Sequence, residues 1–132
     1  MDYLRVLIID DSLTIRAMLE ELVQREMGCR VVGMASSASE ARAMMTDLIP
    51  NVVTLDLNMP GIDGMTFLDE LHGKAHPPIV VVSSATTTGS PQAVEAVKRG
   101  AYACFDKGKM LADAANFVRL LKAASKSGNA AI

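Results

Sequence analysis

The 132-residue chain has no tryptophan, and only 4% of its residues are aromatic. That scarcity argues against a platform on which nucleic-acid bases stack. Charge of one sign is missing too, with 13 Lys+Arg against 15 Asp+Glu for a formal net charge of −2. A general nucleic-acid binder needs surplus cations to neutralise phosphates, so direct nucleic-acid binding is not expected. Two cysteines, Cys29 and Cys104, make no disulfide framework and fit no zinc spacing. No apolar run approaches the ~20 residues of a membrane span. The opening Met1-Asp2-Tyr3-Leu4-Arg5 lacks a basic leader, and the apolar Val6–Ile9 runs into acids. The cytoplasm is the expected compartment. Half of the residues are hydrophobic and mean hydropathy is +0.25, which excludes intrinsic disorder. The length allows one domain.

What is present is an alternation. The short apolar runs Arg5–Ile9, Val31–Ala35, Val52–Leu55, Ile79–Val82 and Ala103–Phe105 read as strands. Three are continuous rather than alternating, as in strands buried on both faces. Helix-period segments lie between them. Ile15, Met18, Leu19, Leu22 and Val23 form one stripe. Ser37-Ala38-Ser39-Glu40 reads as a capping box, with Ala41, Met44, Met45 and Leu48 as the stripe behind it. Met65–Leu71 is a third helix. Ser90-Pro91 starts a fourth, carried by Val94 and Val97 to a C-terminal Gly100. Leu111, Ala114, Ala115, Val118 and Leu121 mark the fifth. Five strand–helix units predict an α/β fold, a doubly wound five-stranded parallel sheet flanked by five helices. The predicted domain spans residues 1–124, and the small, polar stretch 125–132 is expected to fray.

In such sheets ligands bind beyond the carboxyl ends of the strands. Asp10-Asp11-Ser12 follows the first strand, Asp56-Leu57-Asn58-Met59-Pro60-Gly61 the third, Ser83-Ser84 the fourth and Asp106-Lys107 the fifth. Asp10-Asp11 alone is compatible with helix capping, and Lys107 alone with a surface lysine. Together they place three carboxylates, a hydroxyl and an ammonium on one rim. Clustered carboxylates repel, and a divalent cation with all-oxygen ligation, such as Mg²⁺, relieves this. A carboxylate can accept a phosphoryl group as an aspartyl phosphate. The Lys107 ammonium and the Ser83 hydroxyl would then face its oxygens. Lys107 is expected at a solvated rim, where its loss leaves the fold intact.

At these residues the sequence resembles the receiver domain of two-component response regulators, over about residues 4–123. The resemblance rests on Val6-Leu7-Ile8-Ile9-Asp10-Asp11-Ser12, Leu55–Gly64, Val81-Val82-Ser83-Ser84 and Asp106-Lys107. Asp56–Phe67 and the Val82-Ser83-Ser84 stretch particularly resemble receivers of chemotaxis methylesterases, although no esterase domain follows. The resemblance implies the flavodoxin-like strand order 2-1-3-4-5. It implies that Asp56 accepts a phosphoryl group from a sensor histidine kinase or a histidine phosphotransfer protein. Asp11, Asp56 and the Asn58 carbonyl would bind Mg²⁺, Asp10 would act through a metal-bound water, and Ser83 and Lys107 would meet the phosphoryl group. A single-domain regulator is implied, an autocatalytic switch rather than an enzyme on other substrates. Its output would pass to a downstream protein over the helix 4–strand 5–helix 5 face, including Val97, Ala101, Tyr102 and Met110. There are two departures. Gly108 stands where the family usually has proline, so a trans Lys107–Gly108 bond is expected. Cys104 stands where an aromatic is frequent.

Other readings are weaker. An aspartate-nucleophile phosphohydrolase wants a second acid where Asn58 stands. In a flavin-binding module of this fold, Asp10-Asp11 would repel the phosphate. A degenerate receiver serving only as a docking module would not need the complete acid, hydroxyl and lysine set. His72 and His76 are expected to be solvated, and the nine methionines to fill the core, with Met59 beside the acceptor.

Overall fold

The computed structural model describes residues 3–59, 61–84 and 89–127. Its strands are β1 (Leu4–Ile9), β2 (Cys29–Ala35), β3 (Val52–Leu55), β4 (Ile79–Ser83) and β5 (Ala103–Asp106). Its helices are α1 (Leu13–Gln24), α2 (Ala38–Leu48), α3 (Gly64–Leu71), α4 (Pro91–Lys98) and α5 (Ala114–Lys126). All strand pairs are parallel, in the order β2-β1-β3-β4-β5. The order reverses between β1 and β3, so their carboxyl ends open the crevice where such sheets bind ligands.

Two cores follow from the two-residue period of the strands. Leu7 and Ile9 of β1 join Val53, Leu55, Phe67, Leu68 and Ala96 on the α2–α3–α4 side. Val6 and Ile8 join Leu19, Leu22, Val23, Phe117 and Leu121 on the α1–α5 side. Full burial of a Phe or Leu contributes about 1.5–3 kcal/mol, so these layers anchor the sheet that carries the site.

The helix starts show how local chemistry sets the loops. Ser12 Oγ accepts from the Ile15 amide (3.2 Å) and starts α1 directly after the acidic pair. Asp63 Oδ1 accepts from the Thr66 amide (2.8 Å) at the start of α3, and that bond holds its carboxyl below the usual range. Ser90 Oγ accepts from Ala93, with Pro91 in the first turn of α4.

Several sequence expectations change. Ser37 Oγ caps α2 through the Glu40 amide, but the Glu40 carboxylate takes the Ser36 amide and hydroxyl, both at 2.7 Å. Only half of the capping box forms. On α4 the buried stripe is Ala93 and Ala96, while Val94 and Val97 are about half exposed (48% and 50%). Leu111 precedes α5 and is exposed; Phe117, Val118, Leu121 and Ala124 form its buried face. Ala101 and Met110 are core residues. His76 is buried, its Nδ1 2.7 Å from the Pro77 carbonyl, while His72 is exposed. Ser125 and Lys126 continue α5, and residues 128–132 of the expected tail lie outside the described residues. No described helix is long and apolar enough to cross a membrane.

Candidate functional site

Backbone ladders bring the site together. The Asp56 amide donates to the Ile9 carbonyl (2.9 Å) and the Asp10 amide to the Ala35 carbonyl (3.0 Å). Both residues therefore sit one step past their strands, on adjacent strand ends. Their side chains continue the α1–α5 face into the mouth of the crevice, and both are buried. Asp11, next along the chain, is exposed. One oxygen from each of Asp10, Asp11 and Asp56 can be chosen so that all lie within 4.8 Å of one another.

Lys107 opens the 3-10 turn Lys107–Lys109 that follows β5. It reaches across the sheet end to Asp10 Oδ2 (3.0 Å) and Asp56 Oδ1 (3.4 Å). Its side chain is only 19% exposed, so the expected solvated rim is corrected to a half-enclosed bridge between two carboxylates. Asp56 Oδ1 also accepts from the Asn58 amide (3.1 Å). Asp10 Oδ1 accepts from the Ser12 amide (2.9 Å), and Arg16 of α1 donates from Nη1 to the Asp10 carbonyl (2.7 Å). Sequence reading missed Arg16. Its six-residue separation from Asp10 carries no motif, and only the turn into α1 brings it back.

Burial pushes the Asp56 carboxyl above its ordinary range. The Asn58 amide opposes this, Asp10 adds to it, and Lys107 opposes it. Desolvation makes the ionised form costly, and a neighbouring carboxylate makes it costlier. The donor set is hard carboxylate oxygen, and a lysine ammonium already lies among it. These residues fit a hard divalent cation, with Asp10, Asp11 and Asp56 as the groups able to hold it.

Ser83 ends β4, fully buried and paired in register with Asp106 of β5. Met59 is buried beside the acceptor loop. Pro60 of that loop and Ala85–Thr88 after β4 lie outside the described residues. Among the described residues no peptide bond is cis, Lys107–Gly108 included, and the Gly108 amide donates to Asp106 Oδ1 (2.9 Å). Cys104 packs on the α3–α4 side, its Sγ donating to the Ala93 carbonyl of α4 (3.6 Å). Burial pushes its thiol up. Phe105 faces the opposite layer, against Phe117 at 5.1 Å between ring centres. Tyr102 is exposed at the start of β5.

A doubly wound sheet thus carries an acidic trio at its switch point and a lysine that reaches it from the end of β5. The family model for the response regulator receiver domain matches residues 6–118, and the chain belongs to that family, a two-component signalling receiver. The protein-glutamate methylesterase/protein-glutamine glutaminase 2 of Burkholderia thailandensis is 40% identical over 88% of this chain and 33% of its own length. The corresponding protein of Agrobacterium fabrum is 38% identical over 96% of this chain and 37% of its own. The chain thus spans about a third of these relatives and corresponds to their receiver part. Among solved structures, the response regulator domain of Thermotoga maritima CheB superposes with a TM-score of 0.88 at 28% identity. That match covers 94% of this chain and 97% of the other. A LuxR-family two-component response regulator from Aurantimonas sp. gives 0.81 at 25% identity, over 97% and 89%.

Proposed function

We propose that this domain, which α5 carries on to Lys126, is a cytoplasmic, Mg²⁺-dependent phosphoacceptor switch, and that Asp56 takes its phosphoryl group from a sensor histidine kinase or a histidine phosphotransfer protein. The observation that carries this reading is the placement of Asp56, a desolvated carboxylate bridged by Lys107 to a second buried acid. Burial strips water from the carboxylate and leaves it a better nucleophile. Among the described residues Oδ1 takes both the Asn58 amide and Lys107, which leaves Oδ2 for attack. The Oδ2–P bond forms as the N–P bond of the phosphohistidine breaks. The electron pair stays on the imidazole nitrogen, which then takes a proton.

Asp11, Asp56 and the Asn58 carbonyl would hold Mg²⁺, with Asp10 acting through a bound water. When bound, the ion supplies charge to the phosphoryl oxygens. Lys107 turns from its two carboxylates toward one phosphoryl oxygen, and the Ser83 hydroxyl donates to another. The new charge is passed on by protein–protein contact. The α4–β5–α5 surface supports this, since it leaves Val94, Val97 and Tyr102 exposed. Intact-mass measurement of labelling by acetyl phosphate tests the reading. Labelling is expected with Mg²⁺ and abolished by a chelator; equal labelling in both would overturn it.

A further inference from the structure

The loop after the acceptor closes back on itself where α3 begins. The Gly64 amide donates to the Leu57 carbonyl (2.9 Å), so the first residue of α3 returns to the residue after Asp56. The approach leaves no room for a side chain. A Cβ at Gly64 would lie 2.7 Å from the Asp56 carbonyl oxygen, 2.7 Å from Leu57 Cα and 2.9 Å from Leu57 Cδ2. Two of these three atoms are backbone and cannot swing aside as a side-chain end can. Gly33 of β2 makes a useful contrast. A Cβ there would meet Leu48 Cδ1 at 2.8 Å, with Leu7 Cδ1 and Met44 Sδ at 3.3 Å, all side-chain ends.

The seam bears directly on the site. Leu57 leads into Asn58, whose amide donates to Asp56 Oδ1 and whose carbonyl belongs to the proposed Mg²⁺ set. Moving Leu57 moves both. We propose that Gly64 is a positioning residue for metal binding and phosphoryl transfer: its missing side chain lets α3 press on the Asp56–Leu57 backbone and fixes Asn58 against the acceptor. This rests on the phosphoacceptor reading above.

The test compares Gly64→Ala with Gly33→Ala. Mg²⁺ affinity is measured by calorimetry, acetyl phosphate labelling by mass, and folding by thermal denaturation. Both variants are expected to lose stability. Only Gly64→Ala is expected to weaken Mg²⁺ binding, by about 10–100-fold, the scale for groups that orient metal ligands, with labelling slowed in parallel. A folded Gly64→Ala with wild-type Mg²⁺ affinity and labelling rate would overturn the proposal and leave the phosphoacceptor reading standing. A wild-type protein that neither binds Mg²⁺ nor labels would remove both. If Gly64→Ala does not fold, amide exchange of the wild-type protein decides. Mg²⁺ is expected to slow exchange at Gly64 and Asn58 together, and a change at Asn58 with none at Gly64 would refute the coupling.

Discussion

The Lys107 ammonium lies 3.0 Å from Asp10 Oδ2, and the same nitrogen reaches Asp56 Oδ1 at 3.4 Å. One lysine thus bridges two buried acids at the ends of neighbouring strands, where a cation is electrostatically required. Removing it leaves two buried carboxylates facing each other. Lys107→Ala is therefore expected to lower stability at pH 7 in a chelator by about 1–3 kcal/mol, the cost of a buried polar group left without its partner. Mg²⁺ is expected to restore most of that loss, which urea denaturation with and without the ion measures. Equal stability of mutant and wild type in the chelator would show that the bridge carries no weight.

The raised Asp56 carboxyl has a consequence with a definite sign. Its folded pKa lies above the ordinary 3.8, through burial first and Asp10 in support. The folded state therefore binds the proton more tightly than the unfolded state, and stability falls as pH rises through the folded pKa. Asp56→Asn removes that cost. The variant is expected to be more stable than wild type at pH 7 without Mg²⁺, and the gap should close as pH falls toward 3.8. Denaturation curves over this range check it; a gap independent of pH would place its origin elsewhere.

Asp11 is the exposed member of the trio. Asp11→Ala is expected to weaken Mg²⁺ binding at least about tenfold, comparable with loss of a group that orients a metal ligand. Glu40→Ala removes an exposed acid that holds the Ser36 amide and hydroxyl and lies outside the acidic trio, and it should leave Mg²⁺ affinity unchanged. Calorimetric titration compares the two, and matching affinities would mean that Asp10-Asp11 serves only the turn into α1.

With Cys104 in place of an aromatic, the response to phosphorylation is expected in the loops. Amide exchange should slow around Ser83–Ser84 and Gly89–Ser90 and change at Gly108, whose amide is held by Asp106, with β1 unaffected. Changes confined to Tyr102–Phe105 would instead point to an aromatic swing by Tyr102 or Phe105.

The strands and the acidic rim were legible because each rests on a local pattern. Val6–Ile9 is an unbroken apolar run and Val52–Leu55 is interrupted only by Thr54, and their acids follow at once. Which stripe of a helix faces the sheet was not legible on α4. Ala93 and Ala96 share the spacing of Val94 and Val97, and hydrophobicity favours the valines. The sheet instead takes the small pair, which allows close approach. Leu111 shares the apolar spacing of α5 yet lies outside it, because the 3-10 turn at Lys107–Lys109, which delays that helix, has no apolar signature. The enclosure of Lys107 was equally hidden: its place after β5 puts it on the rim with Asp10 and Asp56, but how far its side chain folds over them depends on the 3-10 turn that it opens.

Site mapping of the labelled protein tests the central claim most directly. After acetyl phosphate and Mg²⁺, tandem mass spectrometry is expected to find one phosphoryl group, carried on Asp56, and none on Asp56→Asn. Undiminished labelling of Asp56→Asn would contradict the assignment of Asp56 as the acceptor.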